Sequence, residues 1–240
     1  MRASTAWLLA TVLLLLAALG AHNLALRDEY QRRLRAAGPD AYVTLGFKNF
    51  SEVVLPDSGN LSVQISQGPF RVRVRSPYAQ ALHLRQKGAQ LFVAADSLDA
   101  LEDDRMLLIS CPRLVRVSTR LVAGPPPNRA RARYGEDRCN VQIEGFRGGG
   151  LTLEQARRSR IVLNENNLGS LQATVGYGPA SCAALELSAD NHIETASLTV
   201  NGTSELSVYR MTIPKLRYKY SDSAVLQLPG SMVPRLAAGR

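Results

Sequence analysis

A chain of 240 residues, 45% of them hydrophobic, is long enough to bury the core of one domain, which excludes a wholly disordered protein. Its 29 Lys and Arg against 20 Asp and Glu give a net charge of +9, which favours an anionic partner. The charge is spread along the chain without a zinc-finger or aromatic nucleic-acid motif, so solubility is the simpler explanation and a dedicated nucleic-acid-binding protein is disfavoured.

The first 26 residues have the pattern of an export signal. Arg2 precedes an apolar run from Trp7 to Leu19, and small residues then lead into polar His22. A basic start, a short apolar stretch and a small-residue end are typical of a secretory signal peptide. The run is shorter than the roughly 20 residues that span a bilayer, although extension to Leu26 would make a short signal anchor. We therefore predict an N-terminal hydrophobic targeting helix, cleaved or retained, and export to the periplasm or cell surface.

Residues 27–46 are predicted to be a charged spacer. The stretch from Arg27 to Arg35 has a helical and charged pattern, and Gly38-Pro39-Asp40 ends it. From Phe47 onwards, alternating apolar and polar residues recur in short runs between Gly, Pro, Asn, Asp and Ser, as strands require. One all-β domain is therefore predicted over residues 47–230, followed by a tail at 231–240.

Three arginines form the candidate site. Arg71, Arg73 and Arg75 alternate with apolar residues, and a strand places alternate side chains on opposite faces. Their guanidinium groups would share one face that could bind an anionic surface polymer such as a glycan, lipopolysaccharide or extracellular DNA. The simpler interpretation is a solvated face whose charges discourage edge pairing. Five other basic residues could extend this face: Arg157, Arg158, Arg160, Arg217 and Lys219.

The segment 124–140 interrupts the strand pattern. It contains Pro125, Pro126 and Pro127, followed by alternating arginines. Proline donates no backbone hydrogen bond to a sheet, so this segment is predicted to be a Pro/Arg-rich loop. A short helical turn is predicted earlier in the chain, at 96–104.

After Asn140 two short strand types alternate. One type begins with a serine, the other carries alternating apolar residues, and a full cycle takes roughly twenty residues with Asn or Asp at the junctions. The serine-led strands are Ser159–Leu163, Ser204–Val208 and Ser223–Leu228, and their partners are Leu168–Val175, Ile193–Val200 and Ile213–Tyr220.

This repeat predicts a β-solenoid. One cycle with a single apolar face cannot bury that face alone, whereas stacked cycles enclose a shared interior and pair with one another through the backbone. The alternative is an antiparallel β-sandwich of hairpins. Apart from Asn201-Gly202, the C-terminal half lacks two-residue hairpin turns of the Asn-Gly or Asp-Gly kind, which favours the solenoid.

Several stretches share the pattern of one known family. They are Phe50–Leu55 with Leu61–Gly68, Val72–Val74 with Gly88–Val93, Ile109–Leu114, the serine-led strands and Ser221–Ala224. In these stretches, over about residues 47–228, the chain resembles the GIN domain, a family labelled as an autotransporter adhesin head domain and common in Bacteroidetes. The resemblance implies a right-handed β-solenoid at the cell surface or in the periplasm, and it implies no established activity. The chain largely lacks the Ser-Gly pairs of family members.

No catalytic, metal or cofactor site is expected. His22, His83 and His192 are isolated, and the sequence has no zinc motif, no serine-hydrolase turn and no phosphate loop with its lysine. A glycosidase or lyase on a β-helix would need acids clustered on one face. The acids of the repeats are instead scattered along the chain: Glu154, Glu165, Glu186, Glu194 and Glu205.

The three cysteines are too far apart to predict metal or dithiol chemistry. Cys111 and Cys182 lie beside apolar strand patterns and are expected to be buried free thiols. Cys139 is expected in a polar loop. In an oxidising compartment one pair could bridge and leave the third thiol over.

The leading hypothesis is an exported, non-enzymatic β-solenoid of the cell envelope that acts in surface interaction or adhesion. One alternative is a carbohydrate-active enzyme on the same scaffold. Another is a periplasmic sensor or regulatory partner held by an uncleaved signal anchor. The expected partners are an anionic surface polymer or an envelope protein, with membrane contact through the N-terminal segment.

Overall fold

The computed structural model describes residues 42–56, 61–95, 106–120, 139–177 and 181–230. All of them except Tyr42 belong to one compact unit, Val43–Arg240. These residues form seventeen strands and one 3-10 turn, Ser76–Tyr78. The strands are β1 Tyr42–Leu45, β2 Glu52–Pro56, β3 Ser62–Gln67, β4 Arg71–Arg75, β5 Leu82–Lys87, β6 Gln90–Ala95, β7 Leu107–Cys111, β8 Arg116–Arg120, β9 Cys139–Glu144, β10 Gly150–Ala156, β11 Ser159–Asn164, β12 Asn167–Tyr177, β13 Ala184–Leu187, β14 His192–Val200, β15 Glu205–Val208, β16 Lys215–Tyr220 and β17 Val225–Gln227.

The strands form two mixed sheets. Sheet A has nine strands in the order β1-β4-β7-β3-β9-β11-β13-β15-β17, and sheet B has eight in the order β16-β14-β12-β10-β8-β2-β6-β5. Strand β4 pairs with β7, and β5 with β6, in antiparallel fashion. The strands from β8 to β17 pair with their neighbours in parallel. The prediction of an all-β domain is confirmed.

From β8 onwards, consecutive strands alternate between the two sheets. In sheet B, Gly150 pairs with Ser170, and the register continues to Thr195 and then Lys215. The chain therefore returns to the same row of sheet B after 20, 25 and 20 residues. These intervals agree with the predicted cycle, and parallel pairing excludes a sandwich of hairpins for this half of the domain.

Strand alternation places the core between the two sheets. In β10, Leu151 and Leu153 are buried while Thr152 and Glu154 are half exposed on the opposite face. Sheet A contributes buried residues in the same way, such as Ile161 of β11. The inward side chains of both sheets form one continuous hydrophobic cluster. Its burial is the main favourable term in folding, at roughly 25 cal/mol per Å² of apolar surface.

Buried asparagines connect the cycles at one corner of the domain. The Asn166 side chain accepts a hydrogen bond from the Phe146 N–H and donates to the Ile143 carbonyl, both at 3.0 Å. It also donates to Oδ1 of Asn191 in the next cycle, at 3.0 Å. Asn191 in turn donates to the Leu163 carbonyl at 2.6 Å. These bonds satisfy backbone groups that a buried turn would otherwise leave unpaired.

Buried hydroxyl groups connect the cycles at a second corner. Thr119 donates to Ser159 Oγ at 3.1 Å and accepts from the Ala156 N–H at 2.8 Å. Further along, Ser204 donates to Ser181 Oγ at 3.5 Å. Ser159 and Ser204 are the first residues of two predicted repeat strands and are buried corner residues, whereas Ser223, which leads the third strand, is exposed.

Strand β1 ends sheet A, but the next two strands of the chain, β2 and β3, lie inside the sheets. In sheet B, β2 lies between β6 and β8, and in sheet A, β3 lies between β7 and β9. The chain therefore adds later strands on both sides of β2 and β3.

Strand β1 occupies the last part of the predicted spacer, and β9 begins at Cys139, within the predicted Pro/Arg-rich loop. Within the residues that the structure describes, no helix is long and apolar enough to span a membrane. Five predictions lie wholly or mainly outside those residues: the targeting helix at 1–26, the spacer at 27–46, the helical turn at 96–104, the loop at 124–140 and the tail at 231–240.

Candidate functional site

Strand β4 presents its arginines on the outer face of sheet A. Val72 and Val74 are buried in the core, which turns the alternating arginine side chains outwards. Arg71 is exposed, whereas Arg73 and Arg75 are half buried. The shared face that the sequence indicates for these three residues is the arrangement in the structure.

Antiparallel pairing with β7 gives Arg71 a polar neighbour and Arg73 an apolar one. Arg71 lies opposite Ser110, and Arg73 lies opposite Leu108. On the other side of β7, Ser110 lies opposite Ser66 of β3. Arg71, Ser110 and Ser66 thus form one row across three strands, with neighbouring strands about 4.8 Å apart.

A cleft of about 280 Å³ lies over this part of sheet A. Two guanidinium groups, two serine hydroxyls and one amide supply hydrogen-bond donors to it, beside a small apolar patch. Its lining residues are Gln64, Ser66, Pro69, Arg71, Arg73, Leu108, Ile109 and Ser110. Arg75 is on the same strand face but does not line the cleft.

The connection between β3 and β4 holds one wall of the cleft against β7. The Gly68 N–H donates to the Cys111 carbonyl at 3.0 Å, and the Gln67 side chain donates to the Pro112 carbonyl at 3.1 Å. A Cβ at position 68 would lie 2.6 Å from Ser110 Oγ, closer than side chains tolerate. Glycine at this position therefore permits the approach that leaves the Ser110 hydroxyl beside the arginines.

One carboxylate lies near the far side of the cleft and is held by amides. Both oxygens of Glu144 on β9 accept side-chain hydrogen bonds, one from Gln64 and one from Gln142, the latter at 3.2 Å. Glu144 pairs with Ser66, so it stands three strands from Arg71, about 14 Å at normal strand spacing. The guanidinium groups thus dominate the β4 side of the cleft, and that side suits an anion.

The other basic residues do not extend this arginine face, so that prediction is wrong. Arg160 lies on sheet A but four strands from β4, and it forms an ion pair with Glu186 at 2.7 Å. The hydrogen bond with Glu186 raises the pKa of the Arg160 guanidinium. Arg217 and Lys219 belong to β16 in sheet B, and Arg157 and Arg158 form the turn between β10 and β11.

The serines of the cleft are not evident from a motif in the sequence. Ser66 and Ser110 are 44 positions apart and neither belongs to a recognisable motif. A signal was nevertheless present, because both follow an isoleucine and the two Ile-Ser pairs align in register between β3 and β7.

The remaining titratable residues do not gather into a second site in the described part of the chain. His83 and His192 are exposed on β5 and β14. Glu154 is on sheet B, 3.8 Å from Arg116, whereas Glu186 and Glu205 are on sheet A. The described residues contain no group of three His, Cys, Asp or Glu that could hold a metal ion.

The three cysteines are free thiols. Cys111 is buried as expected, and desolvation by burial raises its pKa to about 12. Cys139 is not in a polar loop but is fully buried at the start of β9, because the residue is part of the core alternation there. Cys182 is only half buried, so the expectation of full burial is wrong for this residue.

No family model matches the sequence, and no curated protein matches it either. The fold is similar to that of a "putative adhesin" of Bacteroides fragilis, at 14% identity and a TM-score of 0.43 over 78% of this chain and 95% of that chain. A "putative adhesin" of Parabacteroides distasonis is similar at 11% identity and a TM-score of 0.37, over 78% and 96% of the two chains. A "putative lipid binding protein" of the same species gives 11% identity and 0.27, over 78% and 96%. The resemblance to the GIN domain stays a prediction.

Proposed function

We propose that this chain is an exported, non-enzymatic protein of the cell envelope that binds an anionic surface polymer through the cleft on β3, β4 and β7. The observation that carries the proposal is the presence of Arg71 and Arg73 beside two serine hydroxyls in one open cleft. Guanidinium groups and hydroxyls are donors that bind carboxylate, sulfate and phosphate oxygens.

The proposed scaffold is a right-handed β-solenoid of the GIN type. Three features support it: alternation of consecutive strands between two sheets, cycles of 20 to 25 residues, and corner residues that bond from one cycle to the next. A solenoid buries its apolar residues inside and leaves long strand faces outside, which suits contact with an extended partner.

The spacing of the two arginines favours a polymer over a single small anion. Residues two apart on a strand are separated by about 6.8 Å, so Arg71 and Arg73 present two positive charges side by side. An acidic glycan, the phosphates of lipopolysaccharide and extracellular DNA all carry repeated negative groups. Each additional charge pair adds modest binding energy at an exposed site, so the affinity depends on several contacts along the chain.

Binding of purified domain to immobilised polymers tests this proposal. The probes are polygalacturonate, lipopolysaccharide and single-stranded DNA, each measured at about 0.05 and 0.15 M salt because screening weakens exposed charge pairs. For at least one probe, we expect the double variant Arg71→Ser/Arg73→Ser to bind at least tenfold more weakly than the parent.

The matched control is Arg85→Ser/Lys87→Ser, which removes the same two charges from exposed positions on β5 in sheet B. Its binding should stay within twofold of the parent. Equal loss of binding in both variants would show that net charge alone explains the effect. Equal binding by the parent and the cleft variant would show that the cleft is not the binding site. Circular dichroism and thermal unfolding check that both variants fold.

Export is tested separately from binding. Intact mass of the protein from periplasmic and membrane fractions shows whether residues 1–26 are removed. A cytoplasmic pool of full-length protein contradicts the proposal, whereas either a trimmed periplasmic form or a full-length membrane form supports it.

A further inference from the structure

The two sheets end at one side in strands β16 and β17, the last strands of sheets B and A. Their inward side chains close the stack incompletely. Leu216, Leu226 and Leu228 are only partly buried, and Tyr220 is 43% exposed, although equivalent positions in the preceding cycle are fully buried. An apolar groove remains between the two strands, lined in part by Leu198, Leu206, Leu216, Tyr218, Leu226 and Leu228.

Some backbone groups of β16 point away from β14, toward this end of sheet B. The Ser221 N–H bonds to the Val200 carbonyl of β14 at 2.9 Å, and backbone groups alternate in direction along a strand. Residues 215, 217 and 219 therefore bond back to β14, and the N–H and C=O groups of Leu216 and Tyr220 point away from it. By the same rule, the Val225 N–H donates to the Ser204 carbonyl at 3.0 Å, and the backbone N–H and C=O groups of Leu226 point away from β15.

The outer face of β16 is strongly cationic, and the residues that pair with its cations on β14 are uncharged. Lys215, Arg217 and Lys219 are exposed. Their register partners on β14 are Thr195, Ser197 and Thr199, which are uncharged. A strand added to this edge would place its own outer side chains next to these three cations.

We propose that the β16 edge is a docking site for an extended segment of another protein in which acidic residues alternate with apolar ones. Such a segment would add one strand to sheet B. Its apolar side chains would cover Leu216 and Tyr220 in the groove, and its acidic side chains would lie next to Lys215, Arg217 and Lys219. The period of two in the edge strand demands the same period in the partner.

Charge decides against a second copy of this chain as the occupant. Two β16 edges brought together would oppose lysines and arginines of the same sign. The end strand β5 at the other side of sheet B carries exposed His83, Arg85 and Lys87, so head-to-tail stacking would also bring basic strands together. Like charges directly opposite each other destabilise strand pairing.

A synthetic seven-residue peptide with alternating Glu and Val, capped at both ends and carrying a fluorophore, tests the proposal on the full chain. We expect saturable binding in fluorescence anisotropy at about 0.15 M salt. A scrambled peptide with its glutamates in one block should bind at least tenfold more weakly, as should the alternating peptide methylated on every second backbone nitrogen. Equal binding of the methylated peptide would show charge attraction without strand addition and would overturn the proposal.

The protein variants separate the edge from net charge. Arg217→Glu/Lys219→Glu should weaken peptide binding at least tenfold, whereas Arg85→Glu/Lys87→Glu, with the same change in charge on β5, should stay within twofold. Hydrogen exchange should slow at the Leu216 and Tyr220 amides when the peptide is bound. Equal losses of peptide binding in both variants would refute the proposal. Concentration-dependent dimers of the free chain in sedimentation would also refute it, as would peptide binding that emerges only after deletion of residues 231–240.

Discussion

Strands β1–β8 and strands β9–β17 use the same two sheets in different ways. In the C-terminal half, each strand pairs in parallel with the strand two positions later, and buried corner residues bond from cycle to cycle. In the N-terminal half, β4 runs antiparallel to β7 and β5 antiparallel to β6, and β2 and β3 are enclosed by later strands. The regular C-terminal half contains the bonded asparagines and serines of the corners, and the irregular N-terminal half contains the cleft.

The difference shows where the candidate site comes from. Parallel pairing repeats the same rows in each cycle, and one of these rows places Thr174 beside Thr199. The reversal at β4 breaks this repetition and sets Arg71 beside Ser110. A side-chain combination suited to binding arises at the interruption of the repeat, while the repeat itself supplies the hydrogen bonds that join the cycles.

The largest effect is expected at a corner of the regular half. Gly176 has φ of +89°, and a Cβ there would lie 2.3 Å from Ser204 Oγ and 2.7 Å from the Asn201 carbonyl. Gly176→Ala should therefore lower the free energy of unfolding by about 4 kcal/mol, from backbone strain and overpacking together. Gly88→Ala, in the β5–β6 hairpin with open space around it, should cost only about 1 kcal/mol. Urea unfolding measures both, and equal losses would remove the distinction between the halves.

The asparagine ladder, formed by the buried side chains of Asn166 and Asn191, should show the next largest effect on stability. Asn166→Ala leaves the buried Phe146 N–H and the Ile143 carbonyl without their side-chain partner, which should cost about 3 kcal/mol. Asn167→Ala, one residue later and exposed, keeps its backbone bond to Phe146 and should change stability by under about 0.5 kcal/mol. Thermal unfolding compares the pair, and a small effect at Asn166 would mean that water replaces the ladder.

The irregular half should show a pH effect through Cys111. Burial raises the pKa of this thiol to about 12, against 9.0 for an unperturbed thiol. The folded state therefore keeps its proton while the unfolded state loses it, so this stabilisation is present below pH 9 and is lost as pH rises from 9 toward 12. Between pH 8 and 10.5 the parent should lose about 1 to 2 kcal/mol more than Cys111→Ala does, as urea unfolding at both pH values would show. Parallel pH curves for parent and variant would contradict the prediction.

The smallest effect is expected at a surface ion pair of the regular half. Arg160 and Glu186 are 2.7 Å apart on the outer face of sheet A, with side chains 45% and 19% exposed. Glu186→Gln should lower stability by no more than about 1 kcal/mol, and by less at high salt. Glu154→Gln, which weakens the longer 3.8 Å contact with Arg116, should have a smaller effect still. If Glu186→Gln lowered the free energy of unfolding by more than about 2 kcal/mol, the corner residues would not be the main source of stability in this half.

The sequence is sufficient to predict on which face of a strand a side chain lies, but not which strands pair with each other. Period-two alternation predicts correctly that Val72 and Val74 are buried and that the arginines between them face outwards. The same alternation carries no information about which strand lies alongside. The enclosure of β2 and β3 by strands made later, and the placement of Ser110 beside Arg71, depend on packing between distant segments and could not be predicted.

Corner chemistry was predicted in part. The sequence shows the serine at the start of the repeat strands, but it does not show the buried hydrogen bonds of Ser159 and Ser204. The repeat predicts Asn or Asp at the junctions, and the buried corner uses Asn166 and Asn191, whereas the neighbouring Asn167 is exposed. Neighbouring asparagines have the same turn propensity, so only the direction of each side chain distinguishes them, and that direction is set by the cycles above and below.

The central position of β2 and β3 has a consequence for how the protein emerges during synthesis. Strands β2 and β3 are synthesised early, and both edges of each strand stay unpaired until β6 to β9 have been made. Shortening the chain from its C-terminus would remove the edge strands β17 and β16 first, whereas loss of β2 and β3 would remove a strand from the middle of each sheet.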